Sequence, residues 1–152
     1  MHEVIFKDMT DKVSLKWPND ILIDDKKVAG LLAQQIGDGV IVGIGLNVAM
    51  DTDELPVPTA TSLALSGSNN LDRNLLLSAF LNRFENIFKD WDSGTEFLEK
   101  YRQVSSTLGR QVRVEVLGRD SIEGKAAAIT AQGALILSDG TEVNVGDVVH
   151  LR

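Results

Sequence analysis

Lys16-Trp17-Pro18-Asn19-Asp20-Ile21-Leu22-Ile23-Asp24-Asp25-Lys26-Lys27 is the stretch on which the reading of this chain turns. Just before it, Val13 and Leu15 alternate with polar neighbours, as residues of a half-buried strand do. Pro18-Asn19-Asp20 reads as a turn, because proline fixes φ and the short side chains of Asn and Asp bond their own backbone. Ile21-Leu22-Ile23 begins a new strand, Asp24-Asp25-Lys26 is a second polar turn, and from Val28 the chain is apolar again. Strands joined by charged turns hold polar groups at fixed points on a rigid sheet. A site for an anionic ligand is commonly built that way.

From Val28 to Ala49 the chain is almost entirely apolar, broken by Gln34-Gln35 and Gly37-Asp38-Gly39. Asp38-Gly39 is a hairpin signal, so two antiparallel strands are expected over 28–36 and 40–48. Their continuous hydrophobicity implies burial on both faces, or by helices on one face and a partner on the other. Residues 49–60, with Asp51, Asp53, Glu54, Pro56 and Pro58, have no period and read as a mobile loop. Thr61 or Ser62 would cap a short helix that ends at Gly67. From Asp72 to Trp91, Leu75, Leu76, Ala79, Phe80, Phe84, Ile87 and Phe88 recur at three- and four-residue intervals, which predicts a helix capped by Asp72. A second helix is expected from Thr95 to Ser105, and both are expected to pack on the sheet. Beyond Gly109, short runs of alternating valines and leucines are separated by Gly-Arg-Asp, Gln-Gly, Asp-Gly and Gly-Asp turn signals. They read as a small five-stranded β-barrel. The fold class is therefore α+β, an antiparallel or mixed sheet with packed helices over 1–106, followed by a barrel over 107–152.

The 152 residues suit one domain, or one medium domain with a small one. A hydrophobic content of 43% with 24% charged residues is ordinary for a globular chain. The absence of cysteine excludes disulfides, thiolate metal sites and a cysteine nucleophile. No apolar run approaches the ~20 residues a spanning helix needs, and Met1-His2-Glu3-Val4 does not open like a secretory signal. The expectation is a cytoplasmic protein. A net charge of −7 argues against nucleic-acid binding, which needs a basic face. There is no Gly-rich phosphate loop ending in Gly-Lys-Ser/Thr, His2 and His150 are isolated, and no elbow motif supports a serine nucleophile.

Three motifs in order, Lys16-Trp17-Pro18-Asn19-Asp20, Lys27-Val28-Ala29-Gly30-Leu31-Leu32 and Gly43-Ile44-Gly45-Leu46-Asn47, resemble the catalytic core of biotin–protein ligases. The likeness runs from about Val13 to Arg152 and includes an SH3-like carboxy-terminal domain at 107–152. It implies a class II synthetase-like core, ATP and biotin as substrates, Mg2+, and a biotin carboxyl carrier domain as partner. Such an enzyme joins biotin to ATP as biotinyl-5'-AMP, then transfers biotin to a lysine of the carrier. The resemblance makes Lys27 the catalytic lysine, reaching the biotin carboxylate and the α-phosphate; by itself it reads as a solvated hairpin lysine. It gives Lys16 a second phosphate contact and puts Asn19 and Asp20 by the phosphates, with Asp20 a weak metal ligand. Both also serve as turn formers. Gly30 and Gly45 would let ligand approach the backbone, although tight strand packing explains either. Asn47 is assigned to adenine, or is a strand-end cap. Arg152 is assigned to the nucleotide, or is a frayed terminus. Trp17 reads as a core anchor. The loop 49–62 matches a segment that folds over the adenylate, here without an aromatic to stack on it.

The chain also departs from the family pattern. An arginine- and glycine-rich biotin loop, close to Gly-Arg-Gly-Arg-x-Gly, would precede Lys16 and has no counterpart, nor does a DNA-binding helix-turn-helix. Met1 to Lys12 looks like the end of a helix or an added lead. Two readings follow. The chain is the carboxy-terminal part of a biotin–protein ligase, with no DNA partner and with sheet edges able to pair in a homodimer. The alternative is a non-catalytic binding or partner module derived from such a ligase. Ligase activity of this chain by itself is expected to be absent or very weak.

Overall fold

The computed structural model describes residues 12–89, 95–118 and 120–151. The opening segment up to residue 11, Trp91 and Arg152 lie outside the described residues. Backbone contacts divide the chain into two compact units. One comprises Met1–Ser14 and Asn19–Asp92, the other Leu15–Pro18 and Ser93–Arg152.

A four-stranded sheet runs in the order β1-β2-β3-β4, and the first unit holds β2 to β4 with the first two residues of β1. Its strands are β1 (Val13–Lys16), β2 (Asp20–Ile23), β3 (Lys26–Ile36) and β4 (Gly39–Leu46). Between β2 and β3, Ile23 pairs with Lys26 and the turn is Asp24-Asp25 alone, with φ of 47° and 61°. Left-handed values at both central residues are those of a type I′ turn, whose twist matches the flanking strands. Asp tolerates that region because its carboxylate is short enough to bond locally. In the next hairpin Ile36 pairs with Gly39, so the turn is Gly37-Asp38, one residue earlier than the Asp38-Gly39 signal suggests. Gly37 takes the left-handed value, φ 57°.

Ile21, Leu22, Ile23, Val28 and Leu63 form the buried centre of this unit. The far halves of β3 and β4 are exposed: Leu32, Ile36, Val40, Ile41 and Val42 are all at least 41% accessible. Helix α1 (Arg73–Lys89) begins where the sequence predicts. Asp72 Oδ1 accepts the N–H groups of Asn74 at 2.8 Å and Leu75 at 3.2 Å, satisfying two orphan donors of the first turn. Of its residues only Leu76 is buried. The expected helix at 61–67 is a single turn. Ser62 Oγ caps Leu65 N–H, and Ser68 N–H to Leu63 O with Gly67 N–H to Ala64 O closes it in a Schellman pattern. Gly67, at φ 85°, ends it.

The second unit is a five-stranded antiparallel sheet in the order β8-β7-β6-β5-β9. Its strands are β5 (Gln111–Glu115), β6 (Ile122–Ile129), β7 (Leu135–Leu137), β8 (Glu142–Val143) and β9 (Asp147–His150). Every strand sends residues into one core, including Val112, Ile129, Leu135, Val143 and Val148, so the sheet curls on itself. Helix α2 (Thr95–Gln103) packs here through Leu98 and Tyr101, and Arg102 donates to Ile129 O at 2.8 Å. This corrects the expectation that both helices lie on the first sheet. The amphipathic pattern shows that α2 has an apolar face but carries no information on which core receives it.

Trp17, in the middle of the opening motif, belongs to the barrel core and is 3% exposed. Its backbone N–H donates to Thr107 Oγ1 at 3.0 Å and its indole N–H to Gly133 O at 2.8 Å. Among the described residues, no helix is long and apolar enough to cross a membrane.

Candidate active site

In a regular strand Lys27 and Gly30, three residues apart, would face opposite sides of the sheet. The β2–β3 ladder prevents this. Its register passes from Ile21↔Ala29 to Leu22↔Lys27, leaving Val28 as an extra residue in a β-bulge. The bulge returns Lys27 to the face that carries Gly30 and Asp20, which are directly paired. A Cβ placed on Gly30 would stand 3.3 Å from Lys27 Cε and Nζ and 3.4 Å from Asp20 Oδ1. The lysine stem therefore lies across Gly30, in space that a side chain there would crowd.

Lys27 Nζ is 2.6 Å from Asp20 Oδ1, with the lysine side chain half exposed and the aspartate only 10% accessible. A carboxylate so enclosed is costly without a cation beside it. The pair thus holds the ammonium at a defined point on an open face. Along that face Gly30 is paired with Gly45, and the next same-face pair is Leu32 with Gly43. The three glycines leave backbone bare along this face beside the exposed Leu32, where a flat ligand can rest. Cβ atoms at Gly43 and Gly45 would meet only carbonyl oxygens at 3.9 and 4.0 Å, so strand packing does not require glycine at either position. Gly43 stands in the third sequence motif but was given no role there, although its two-residue spacing from Gly45 puts it on the same strand face.

The loop after β4 is stitched to this face. Lys27 N–H donates to Thr59 O at 2.9 Å and Lys27 O accepts Thr61 N–H at 2.8 Å. Asn47 Nδ2–H donates to Thr61 O at 2.9 Å, while its backbone N–H reaches Val28 O at the bulge. Asn47 thus pins the loop end instead of capping its own strand. Asn19 likewise reaches across to β3: its Nδ2–H donates to Leu31 O at 2.7 Å and its carbonyl accepts Leu31 N–H at 2.9 Å.

Asn19, Asp20, Lys27, Gly30, Gly45 and Asn47 therefore gather on one stretch of the first unit. Lys16 belongs to the second unit, where its Nζ is 3.8 Å from Asp147 Oδ1. Arg152 is outside the described residues. Among the described residues, no group of three or more His, Cys, Asp or Glu side chains is arranged to hold a metal. Asp20 offers one carboxylate already against an ammonium, a donor set that does not fit a protein-held divalent ion.

Family models match at both ends: biotin/lipoate A/B protein ligase family over residues 2–51 and biotin protein ligase C terminal domain over 107–151. The biotin--[acetyl-CoA-carboxylase] ligase of Mycobacterium tuberculosis is 40% identical over 145 residues, covering 93% of this chain and 54% of the relative. The bifunctional ligase/repressor BirA of Escherichia coli is 31% identical over 162 residues, covering the whole chain and 50% of the relative. Among solved structures, the biotin protein ligase of Aquifex aeolicus superimposes with a TM-score of 0.79 at 30% identity, covering 99% of this chain and 70% of that one. The same ligase solved with biotin and ATP gives a TM-score of 0.75, covering 99% of this chain and 67% of that one. The α+β fold and the matches at both ends of the chain place it in a known class, the biotin protein ligases. The chain belongs to the biotin protein ligase family. It spans about half the length of the curated relatives it matches.

Proposed function

We propose that this chain carries the lysine and nucleotide end of a biotin–protein ligase site, within a partial catalytic domain (1–106) followed by an SH3-like domain (107–152). The reaction has two steps. A biotin carboxylate oxygen bonds to the α-phosphorus of ATP, the bond from that phosphorus to the β-bridging oxygen breaks, and pyrophosphate leaves with the electron pair. A deprotonated carrier-domain lysine then forms an amide with the acyl carbon, and AMP leaves.

The observation that carries this reading is the bulge at Val28, which puts the Lys27 ammonium over Gly30, at the head of the floor continued by Gly45 and Gly43. Both steps concentrate negative charge where carboxylate meets phosphate, and fixed cations are the strongest means of offsetting it. A lysine ammonium offers three rotatable donors and can leave Asp20 for the incoming anions. Asp20 holds it ready between turnovers. The glycine floor admits the substrate, and Asn47 sets the loop 49–62 that would close over a nucleotide. Among the described residues no cluster of carboxylates or histidines would hold magnesium, and the ion would come to the site bound to the ATP phosphates.

Titration calorimetry of the chain with a non-hydrolysable biotinyl-adenylate analogue tests this. Binding that falls at least tenfold in Lys27→Ala supports the reading. Equal affinity of the two proteins, or no binding by a folded chain, overturns it. Biotin transfer to a carrier domain by the chain unaided is expected to be very weak or absent, since half of its relatives' length is not present in it.

A further inference from the structure

At the carboxy-terminal end of the loop 49–62 stands a fully buried hydroxyl, that of Ser62. It makes two bonds that point in different directions along the chain. Its oxygen accepts Leu65 N–H at 3.1 Å, the cap of the turn that Gly67 ends. Its proton goes to Met50 O at 2.8 Å, 12 residues back. A cap needs only the first of these bonds. The second ties the residue that enters the loop to the residue that leaves it. Two backbone bonds run alongside, from Leu63 N–H to Asn47 O at 2.9 Å and from Ala64 N–H to Val48 O at 3.0 Å. The end of the loop is in turn attached to Lys27, whose N–H donates to Thr59 O and whose carbonyl accepts Thr61 N–H. Among the described residues, the hydrogen bonds of 52–58 stay within the loop, as from Glu54 N–H to Asp51 O and from Ala60 N–H to Val57 O, both at 3.0 Å. The placement of the loop beside Lys27 is therefore set at its two ends.

We infer that Ser62 is a positioning residue of this site. By joining Met50 to the turn at Leu65, its hydroxyl keeps the strip Thr59–Thr61 in register against Lys27, and the loop meets a nucleotide from a fixed base. Ser62 acts through Thr61 and Lys27 and touches no substrate itself. A hydroxyl is a small group that donates and accepts at once. Alanine does neither and would leave Met50 O and Leu65 N–H without this partner in a closed site, where an unmade bond is expensive. A carboxylate would cap Leu65 but has no proton for Met50 O. The inference deepens the ligase reading and rests on it for the ligand, whereas the hold on Lys27 is a property of the fold alone.

The test compares Ser62→Ala with Ser66→Ala in the full chain. Ser66 lies in the same turn, and its hydroxyl meets Thr61 Oγ1 at 3.1 Å without reaching Met50. Amide exchange is followed residue by residue, and a non-hydrolysable biotinyl-adenylate analogue is titrated by calorimetry. Ser62→Ala should speed exchange at Lys27, Thr61 and Leu63 at least tenfold relative to the amides of 32–35 in β3, and should weaken the analogue at least tenfold. Ser66→Ala should leave both within about twofold of the parent. Ser62→Cys, with a thiol that donates only weakly, should fall between the two and carries the comparison if the alanine variant does not fold. Uniform acceleration that includes 32–35, or equal effects of the two alanine variants, would overturn the inference, because loss of the turn would then account for both. So would loosened amides with unchanged affinity for the analogue. If the parent chain does not bind the analogue at all, the ligase reading fails, and the exchange pattern by itself decides whether Ser62 holds the loop to Lys27.

Discussion

Lys27 and Asp20 behave as one electrostatic unit, because the aspartate is enclosed and its counter-charge is 2.6 Å away. Removing the lysine takes the adjacent counter-charge from an enclosed carboxylate, which is destabilising. Lys27→Ala should therefore lower the midpoint of chemical denaturation, and the double change to Lys27→Met with Asp20→Asn should recover most of it. Gly45→Ala separates ligand from fold. The site around it has room for a methyl group, so the melting temperature should hold or rise slightly while affinity for a biotinyl-adenylate analogue falls. Tyr101 gives a pH dependence. Burial raises its pKa from 10.0 to about 12, and its hydroxyl is buried with no hydrogen-bond partner among the described residues. Below pH 10 folded and unfolded chains both hold the proton. Between about 10 and about 12 only the folded chain does, so stability falls as pH rises through that window. Tyr101→Phe should remove this alkaline component and, by deleting an unpaired hydroxyl, stabilise the protein by about 1 kcal/mol at neutral pH. Denaturation midpoints at pH 8, 10 and 11.5 would show both. Nothing in the spacing of Tyr101 announces its unpaired hydroxyl, because hydrogen-bond partners are set by which core the helix meets.

At the scale of elements, the β2–β3 turn is where local chemistry and tertiary need are least well matched. Asp24 and Asp25 both occupy the left-handed region, at φ 47° and 61°, where an asparagine followed by a glycine is the preferred pair. The double substitution Asp24→Asn with Asp25→Gly relieves the left-handed strain at both residues and should raise the melting temperature slightly without moving the Lys27 register. Helices and turns were legible here because their signals are local. Asp72 ahead of an apolar period marks the start of α1, and Gly67 marks the stop of the turn before it. The bulge at Val28 was not legible: an extra residue in a ladder exists only relative to a partner strand, and Val28 looks like any strand valine. The same reason hid the core assignment of α2.

For the molecule as a whole, the net charge of −7 and a pI near 4.7 combine with exposed apolar residues on β3, β4 and α1. Charge repulsion is what opposes their association, and it vanishes near the pI. Light scattering of a dilute solution should pass through a maximum between about pH 4 and pH 5.5, and the maximum should shrink in Leu81→Asp. The sequence alone determined the α+β class, the family, the strand and helix order, and the residue types the site contains, because periodicity, turn chemistry and motifs act within a few neighbouring residues. Only the tertiary structure decided that Lys27 shares a face with Gly30 and Asp20, that Trp17 anchors the barrel, and that α2 joins it. Those facts depend on register and on which core receives an apolar face, and both are settled by contacts between residues far apart in the chain.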